Sequence, residues 1–387
     1  MPVRLLASVN HAALVWAREV LGMSVEVAAA KIGVSPARLQ EFESGHPHPT
    51  IIQLRAIARV YRRPSAFFYL ETLPQMPQRI GDFRSLPDRD DDEDPELWDA
   101  VEAAQERRRS ALELASLLGQ EVPDYGVRAS LGEPSTEIAG RLRDRLGVPL
   151  ATQKTWRDPY KVLGAWIAAA ERAGVLVVQF SSVGVSAARG FSVSDVPYPV
   201  VAINGSDSPR AKTFTLFHEL AHISLGSSGL CDLHDPAEQT DAIEPFCNQV
   251  AAEALVPTAA LLAEPLVRNQ AGIEWEEWRL VELAQTYGVS REVTLRRLLS
   301  IGRTTEAFYR AKRDEYLRGY QEAAAQASGF LAYFRRVLRD NGGLFTSLVL
   351  EAYHADVVTP TEVSRLLGGV KLRHLTSIED ALAAKAS

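Results

Sequence analysis

The chain has 387 residues, is 46% hydrophobic and 24% charged, and carries a formal net charge of -7. That length exceeds one ordinary core and points to two or three domains. The negative balance excludes a generic polyanion binder, so any nucleic-acid surface must be local. Two cysteines, Cys231 and Cys247, make no disulfide framework and suit a reducing cytosol. His11, Arg18 and Glu19 interrupt the first twenty residues, which excludes a signal-type apolar core. No run of about 18 apolar residues occurs, so no membrane partner is expected. The expectation is a soluble, cytoplasmic protein.

Residues 1–72 read as short helices. An apolar helical period starts at Val25 and breaks at Gly33, and Ser35-Pro36 then supplies an N-cap and a proline at the first helical position. This second helix runs to Glu43 and stops near Gly45. "TIIQLRAIARVY" follows as an amphipathic helix capped by Thr50, with Ile51, Leu54, Ile57, Ala58 and Tyr61 on one face. Residues 73–95 are proline-rich and lead into "DRDDDEDPE", a linker by composition whose acidic run is a solvated spacer or a decoy for a basic surface. Helices are expected over 96–119, 135–147 and 158–173, and short valine-rich strands over 174–180 and 198–205. A helix over 209–225, a loop and a helix over about 241–255 come next. Residues 275–340 are helical again, with Gly288 and Ser290 marking a turn, and so is the tail from 343, a possible partner or homodimer surface. The fold class expected is mainly α with a small β-sheet.

Within the 209–225 helix stands "TLFHELAHISLG", an H-E-x-x-H pattern at His218, Glu219 and His222. Helical residues four apart share a face, so both imidazoles can point at one ion. Glu219 then faces the open side of that ion, where a carboxylate can take a proton from water. Phe214, Leu216, Phe217, Leu220, Ala221 and Ile223 make the helix apolar nearly all round. Such a helix is buried, and two histidines and a carboxylate inside it need a partner. The alternative is a pair of core histidines satisfied by backbone carbonyls.

Catalytic zinc sites usually take a third protein ligand. Six residues after His222 the chain has Ser228, not histidine. His234, Cys231 and Cys247 are candidates, but Glu244 is preferred because Asn248 follows one helical turn later. Glu244 can ligate while Asn248 accepts a ring N–H, with His218 the favoured donor. Glu253 reads as a partly exposed helix residue, and Cys247 as a small packed one. Tyr198, Arg189 and His234 are candidates for stabilising an oxyanion, and the strand 198–205 could take an extended substrate as an added edge strand.

In the first module, the start of the helix at Ser35 would enter the major groove. Arg38 and Gln40 could read guanine and adenine edges, and Ser35 could hold a phosphate. Eight lysines and arginines stand against five acidic residues over 1–72, a surplus of only three. Glu41 and Glu43 bring negative charge close to the duplex, and Arg55, Arg59, Arg62 and Arg63 form a basic stripe that could touch phosphate. The rival use of this module is protein interaction or dimerisation.

"KTFTLFHELAHISLG", preceded by "YPVVAING" and followed by "EPFCNQVAAEALVP", resembles the ImmA/IrrE family of zinc metallopeptidases. Arg210, Thr213 or Thr215, Asn204, Ala251, Ala252 and Pro257 fall close to the positions of that family's pattern. Residues 1–72 resemble the Xre-type helix-turn-helix of phage repressors, and "IGDFRSLPD" (80–88) looks like the join in proteins that fuse the two modules. The resemblance implies an N-terminal helix-turn-helix bundle (1–72), an acidic linker and connecting helix (73–130) and an α+β gluzincin-like metallopeptidase domain (131–265). A helical extension (266–340) and a helical C-terminal region (341–387) complete the chain. It also implies Zn2+ held by His218, His222 and Glu244, with Glu219 as catalytic base. The function implied is a DNA-binding regulator that cleaves a repressor or partner protein in a stress, mobile-element or toxin-antitoxin response. The alternative is a non-cleaving regulator or antitoxin that uses the metallopeptidase fold as a sensor or toxin-binding platform.

Overall fold

The computed structural model describes residues 5–74, 81–82, 95–227, 229–231, 242–324 and 332–386. Most of the acidic linker, along with Ser228 and His234, lies outside them. The chain divides into two compact units, Met1–Arg79 with Leu86–Ala103, and Ile80–Ser85 with Ala104–Ser387.

The first unit is built from α1 (His11–Val20), α2 (Val25–Ile32), α3 (Pro36–Glu43), α4 (Ile51–Val60) and the opening of α5 (Pro95–Leu117). Each of the first four helices starts on a capping side chain. Asn10 accepts from Ala12 N, Ser24 from Val27 N and Ser35 from Arg38 N, and Thr50 forms a reciprocal capping box with Gln53. Gly33 ends α2 at φ 82, in the left-handed region that suits glycine. Leu14, Ala28, Ala29, Leu39, Phe42, Leu54, Ile57, Tyr61 and Phe68 close a core of their own.

The second unit holds a five-stranded sheet of β1 (Gly81–Asp82), β2 (Leu176–Phe180), β3 (Gly190–Val193), β4 (Val200–Asn204) and β5 (Gly229–Cys231), in the order β1-β5-β3-β4-β2. β2 runs parallel to β4, with Leu176 opposite Val200 and Phe180 opposite Asn204. β3 is antiparallel to both β4 and β5. β4 is therefore hydrogen-bonded on both sides. The strand expected over 198–205 is a central strand and has no open edge to offer a substrate, because β3, a strand that sequence pattern did not announce, covers its second side.

Seven helices follow one another around this sheet and the core below it: α6 (Ser135–Leu146), α7 (Leu150–Gln153), α8 (Pro159–Arg172), α9 (Pro209–Ser224), α10 (Ile243–Leu255), α11 (Thr258–Ala263) and α12 (Pro265–Arg268). α9 packs against β3, β4, α8 and α10. Trp166 of α8 meets Phe217 of α9 edge-on, with ring centroids 4.7 Å apart. Full burial of a ring such as Phe217 contributes about 1.5–3 kcal/mol. Ala251 and Ala254 are fully buried on α10, and small residues at such a contact allow close helix approach.

α13 (Glu277–Tyr287), α14 (Arg291–Ser300) and α15 (Glu306–Ala324) extend this core. Glu253 is a correction to the sequence expectation. It is 8% exposed, pairs with Arg297 of α14 and accepts from Thr258 N at 2.8 Å, so it locks α10 to α11 and α14. The last helices are α16 (Tyr333–Asn341), α17 (Gly343–His354), α18 (Pro360–Leu366) and α19 (Leu375–Ala386). α16 and α17 pack against β2, and Glu171 of α8 accepts from Gly343 N at 2.6 Å and Leu344 N at 3.1 Å, capping α17. The helical tail thus packs at the β2 edge of the sheet.

Candidate metal centre and helix-turn-helix

α9 begins at the Ser208 N-cap with Pro209 in its first turn, and every residue from Lys212 to Ser224 is buried. His218, Glu219 and His222 are each 0% exposed. α10 brings Glu244, 1% exposed, against the two rings. His218 Nε2 lies 3.1 Å from Glu244 Oε2, and His222 Nε2 lies 2.9 Å from Glu244 Oε1. The two Nε2 atoms are 3.1 Å apart.

The other ring nitrogens settle which atoms carry protons. His218 Nδ1 is 3.1 Å from Asn248 Oδ1, which can only accept, so Nδ1 holds the proton and donates. Ser227 Oγ donates to His222 O at 3.2 Å and lies 3.1 Å from His222 Nδ1, so Nδ1 donates there too. Both Nε2 atoms then present lone pairs. Together with the Glu244 carboxylate they are three acceptors facing one another with no proton between them, buried, which is a costly arrangement. A divalent cation removes that cost. Bonds of 2.0–2.1 Å to a tetrahedral zinc place ligand atoms about 3.3 Å apart, close to the spacing here. His218, His222 and Glu244 form a group that could hold a metal ion.

Cys247 stands on the helix of Glu244 as a buried, free thiol, pushed well above its ordinary range by burial and then by Glu244 and Glu219. It packs as a small residue.

Glu219 faces β3. A Cβ on Gly190 would stand 3.1 Å from Glu219 Oε1 and 2.5 Å from Thr215 Cγ2, so the strand passes the carboxylate at a distance that only glycine permits. Asn204 is fully buried and donates to Val183 O at 3.0 Å and Ala188 O at 2.9 Å, while its Oδ1 accepts from Ser206 N. It organises both loops flanking this part of the sheet. Tyr198 lies at the hairpin end next to Val200, away from Gly190 and Glu219. It is 2% exposed, and burial and then Glu351 raise its phenol. Arg189 is held by Asp207 at 3.1 Å. The side chains of Cys231 and His234 lie outside the described residues.

In the first unit, α2 and α3 meet through the turn at Gly33. Ser35, Gln40 and Glu41 are exposed at α3, and Arg38 is half-buried. Arg38 bonds Glu41 at 2.7 Å and lies over the Phe42 ring. Two expectations change. Glu43 turns inward to Arg18 at 2.8 Å, so it does not repel a duplex. Arg62 is paired with Glu96 and Asp99, and Arg63 with Glu102, so half of the basic stripe is committed to α5 and is not free for phosphate.

Family comparison matches residues 170–299 to the IrrE N-terminal-like domain, Peptidase_M78, and residues 14–68 to a helix-turn-helix model. The chain joins a helix-turn-helix domain to an IrrE N-terminal-like domain. It is thus a DNA-binding type of module followed by a metallopeptidase-like one. No curated protein and no solved structure matches the chain. The IrrE-like match spans β2 to α14, and so contains the sheet from β2 onward, α9 and α10. Among the described residues no helix is long and apolar enough to cross a membrane.

Sequence reasoning missed Ser227 and Gly190. The available signal for Ser227 was a hydroxyl one residue after a helix-ending glycine, five residues past His222. Gly190 had none, because its constraint comes from α9, distant in sequence.

Proposed function

We propose that this chain is a DNA-binding transcriptional regulator whose IrrE-like domain is a zinc-dependent endopeptidase, with a repressor or partner protein as substrate in a stress, mobile-element or toxin-antitoxin response. The observation that carries this reading is the convergence of three buried acceptors at His218 Nε2, His222 Nε2 and Glu244 beside a buried, acidic Glu219. A pure binding module has no need of a carboxylate base at that point. We further propose domain boundaries at residues 72, 130, 265 and 340.

A zinc ion held by His218, His222 and Glu244 would supply a Lewis acid that polarises a peptide carbonyl and acidifies a water. Asn248 accepts the Nδ1 proton of His218 and fixes which nitrogen of that ring is free. Glu219 takes the proton from the attacking water and passes it to the leaving amine nitrogen. Gly190 leaves the space in which the Glu219 carboxylate stands. In the first unit, Ser35, Arg38 and Gln40 are the proposed DNA contacts, with Arg38 first released from Glu41.

The test is incubation of the zinc-loaded chain with purified candidate repressors, alongside its Glu219→Gln variant and a chelated sample. Cleavage by the native chain alone supports the reading. Equal cleavage by the Glu219→Gln variant would overturn it.

A further inference from the structure

The two histidines of the centre are oriented by different segments. His218 leans on Asn248, on the helix that also carries Glu244. His222 leans on the end of its own helix. Gly226 takes φ +68, and its N–H donates to Ile223 O at 3.0 Å, while the Ser227 N–H donates to His222 O at 3.0 Å. This left-handed turn reverses the chain and returns the Ser227 hydroxyl to the His222 ring, 3.1 Å from Nδ1. The hydroxyl has one proton, and the His222 carbonyl, 3.2 Å away, can only accept it. A lone pair of Oγ is left facing Nδ1, which makes Nε2 the unprotonated nitrogen. That nitrogen is the one 2.9 Å from Glu244 and 3.1 Å from His218 Nε2.

We propose that Ser227 is a positioning residue for a metal ion at His218, His222 and Glu244: through its hydroxyl it fixes the tautomer and rotation of His222. The proposal rests on the metal-binding reading of that triad. It also gives the ion two anchors in the fold. Asn248 connects it to α10, and Ser227 connects it to the turn that ends α9.

The hydroxyl also touches the carbonyl at the end of α9, so a test must separate support of the helix end from support of the ring. The full chain is stripped of metal, and zinc affinity is measured by competition with a chromophoric chelator. The visible spectrum of the cobalt(II)-loaded chain reports coordination geometry. Ser227→Ala is expected to weaken zinc binding about 10- to 100-fold and to shift the cobalt bands, with the melting temperature of the metal-free chain little changed. Ser227→Thr, which keeps the hydroxyl, is expected to restore affinity and spectrum. If the alanine variant does not fold, Ser227→Gly takes its place. Native affinity and an unshifted spectrum in the chain lacking the hydroxyl would overturn the role of Ser227 and leave the triad reading standing. Equal loss in the alanine and threonine variants would overturn it as well. Absence of zinc binding by the native chain would instead overturn the triad reading, and this inference with it.

Discussion

Asn248 Oδ1 accepts a proton from His218 Nδ1 across 3.1 Å, and Asn248 lies one helical turn from Glu244, whose carboxylate faces the opposite nitrogen of the same ring. One helix therefore supplies both a carboxylate facing the imidazole and the group that orients that imidazole. Asn248→Ala is expected to lower zinc affinity about 10- to 100-fold, read by chelator competition. Asn248→Asp keeps an acceptor and is expected to lose much less. Equal losses in the two variants would show that the acceptor is not what matters.

At Gly190, β3 passes α9 too closely for a side chain. Adding one methyl group there meets Thr215 and the Glu219 carboxylate. Gly190→Ala is expected to destabilise the IrrE-like domain by about 1–3 kcal/mol, seen as a lower melting temperature of the metal-free chain. A melting temperature at or above the native value would contradict the close approach of β3 to Thr215 and Glu219.

The first half of this site was legible in sequence, and the reason is local. His218 and His222 are fixed on one face by the period of a single helix, and the apolar residues around them imply burial. The caps of α2, α3 and α4 are equally local, so Ser35, Thr50 and Gly33 announce their elements. What was illegible depends on distant segments. β3 is four residues long and begins with glycine, so it shows no strand pattern; without it β4 looks like an edge. Glu253 looks like a surface residue until α14 brings Arg297 to it, 44 residues on. Arg62 and Arg63 read as a phosphate-binding stripe because their partners, Glu96, Asp99 and Glu102, lie beyond the linker.

The buried Glu253–Arg297 pair gives a third expectation. Both side chains are at most 10% exposed, and removal of one partner leaves a charge without its counterion. Arg297→Ala is expected to cost about 3–5 kcal/mol, and replacing both residues by methionine to cost less than that single change. Thermal melts of the single and double variants check the order. A single variant as stable as the native chain would contradict a buried, coupled pair.

On the helix-turn-helix, the arginines are expected to separate into two groups. Gln40→Ala and Arg38→Ala are expected to weaken binding to the cognate operator by about 1–3 kcal/mol each, measured by gel shift at fixed salt. Arg62→Ala is expected to leave DNA affinity nearly unchanged, because its guanidinium is already held by Glu96 and Asp99. A strong loss of affinity in the Arg62 variant would place that residue on the DNA face after all.

The central claim is that His218, His222 and Glu244 close around one metal ion. Its most direct test is metal content by elemental analysis of the full chain, beside a His218→Ala, His222→Ala double variant. About one zinc per chain is expected in the native protein and none in the double variant. A native chain that binds no divalent metal after zinc loading, or a double variant that binds it as well as the native chain, would contradict the claim.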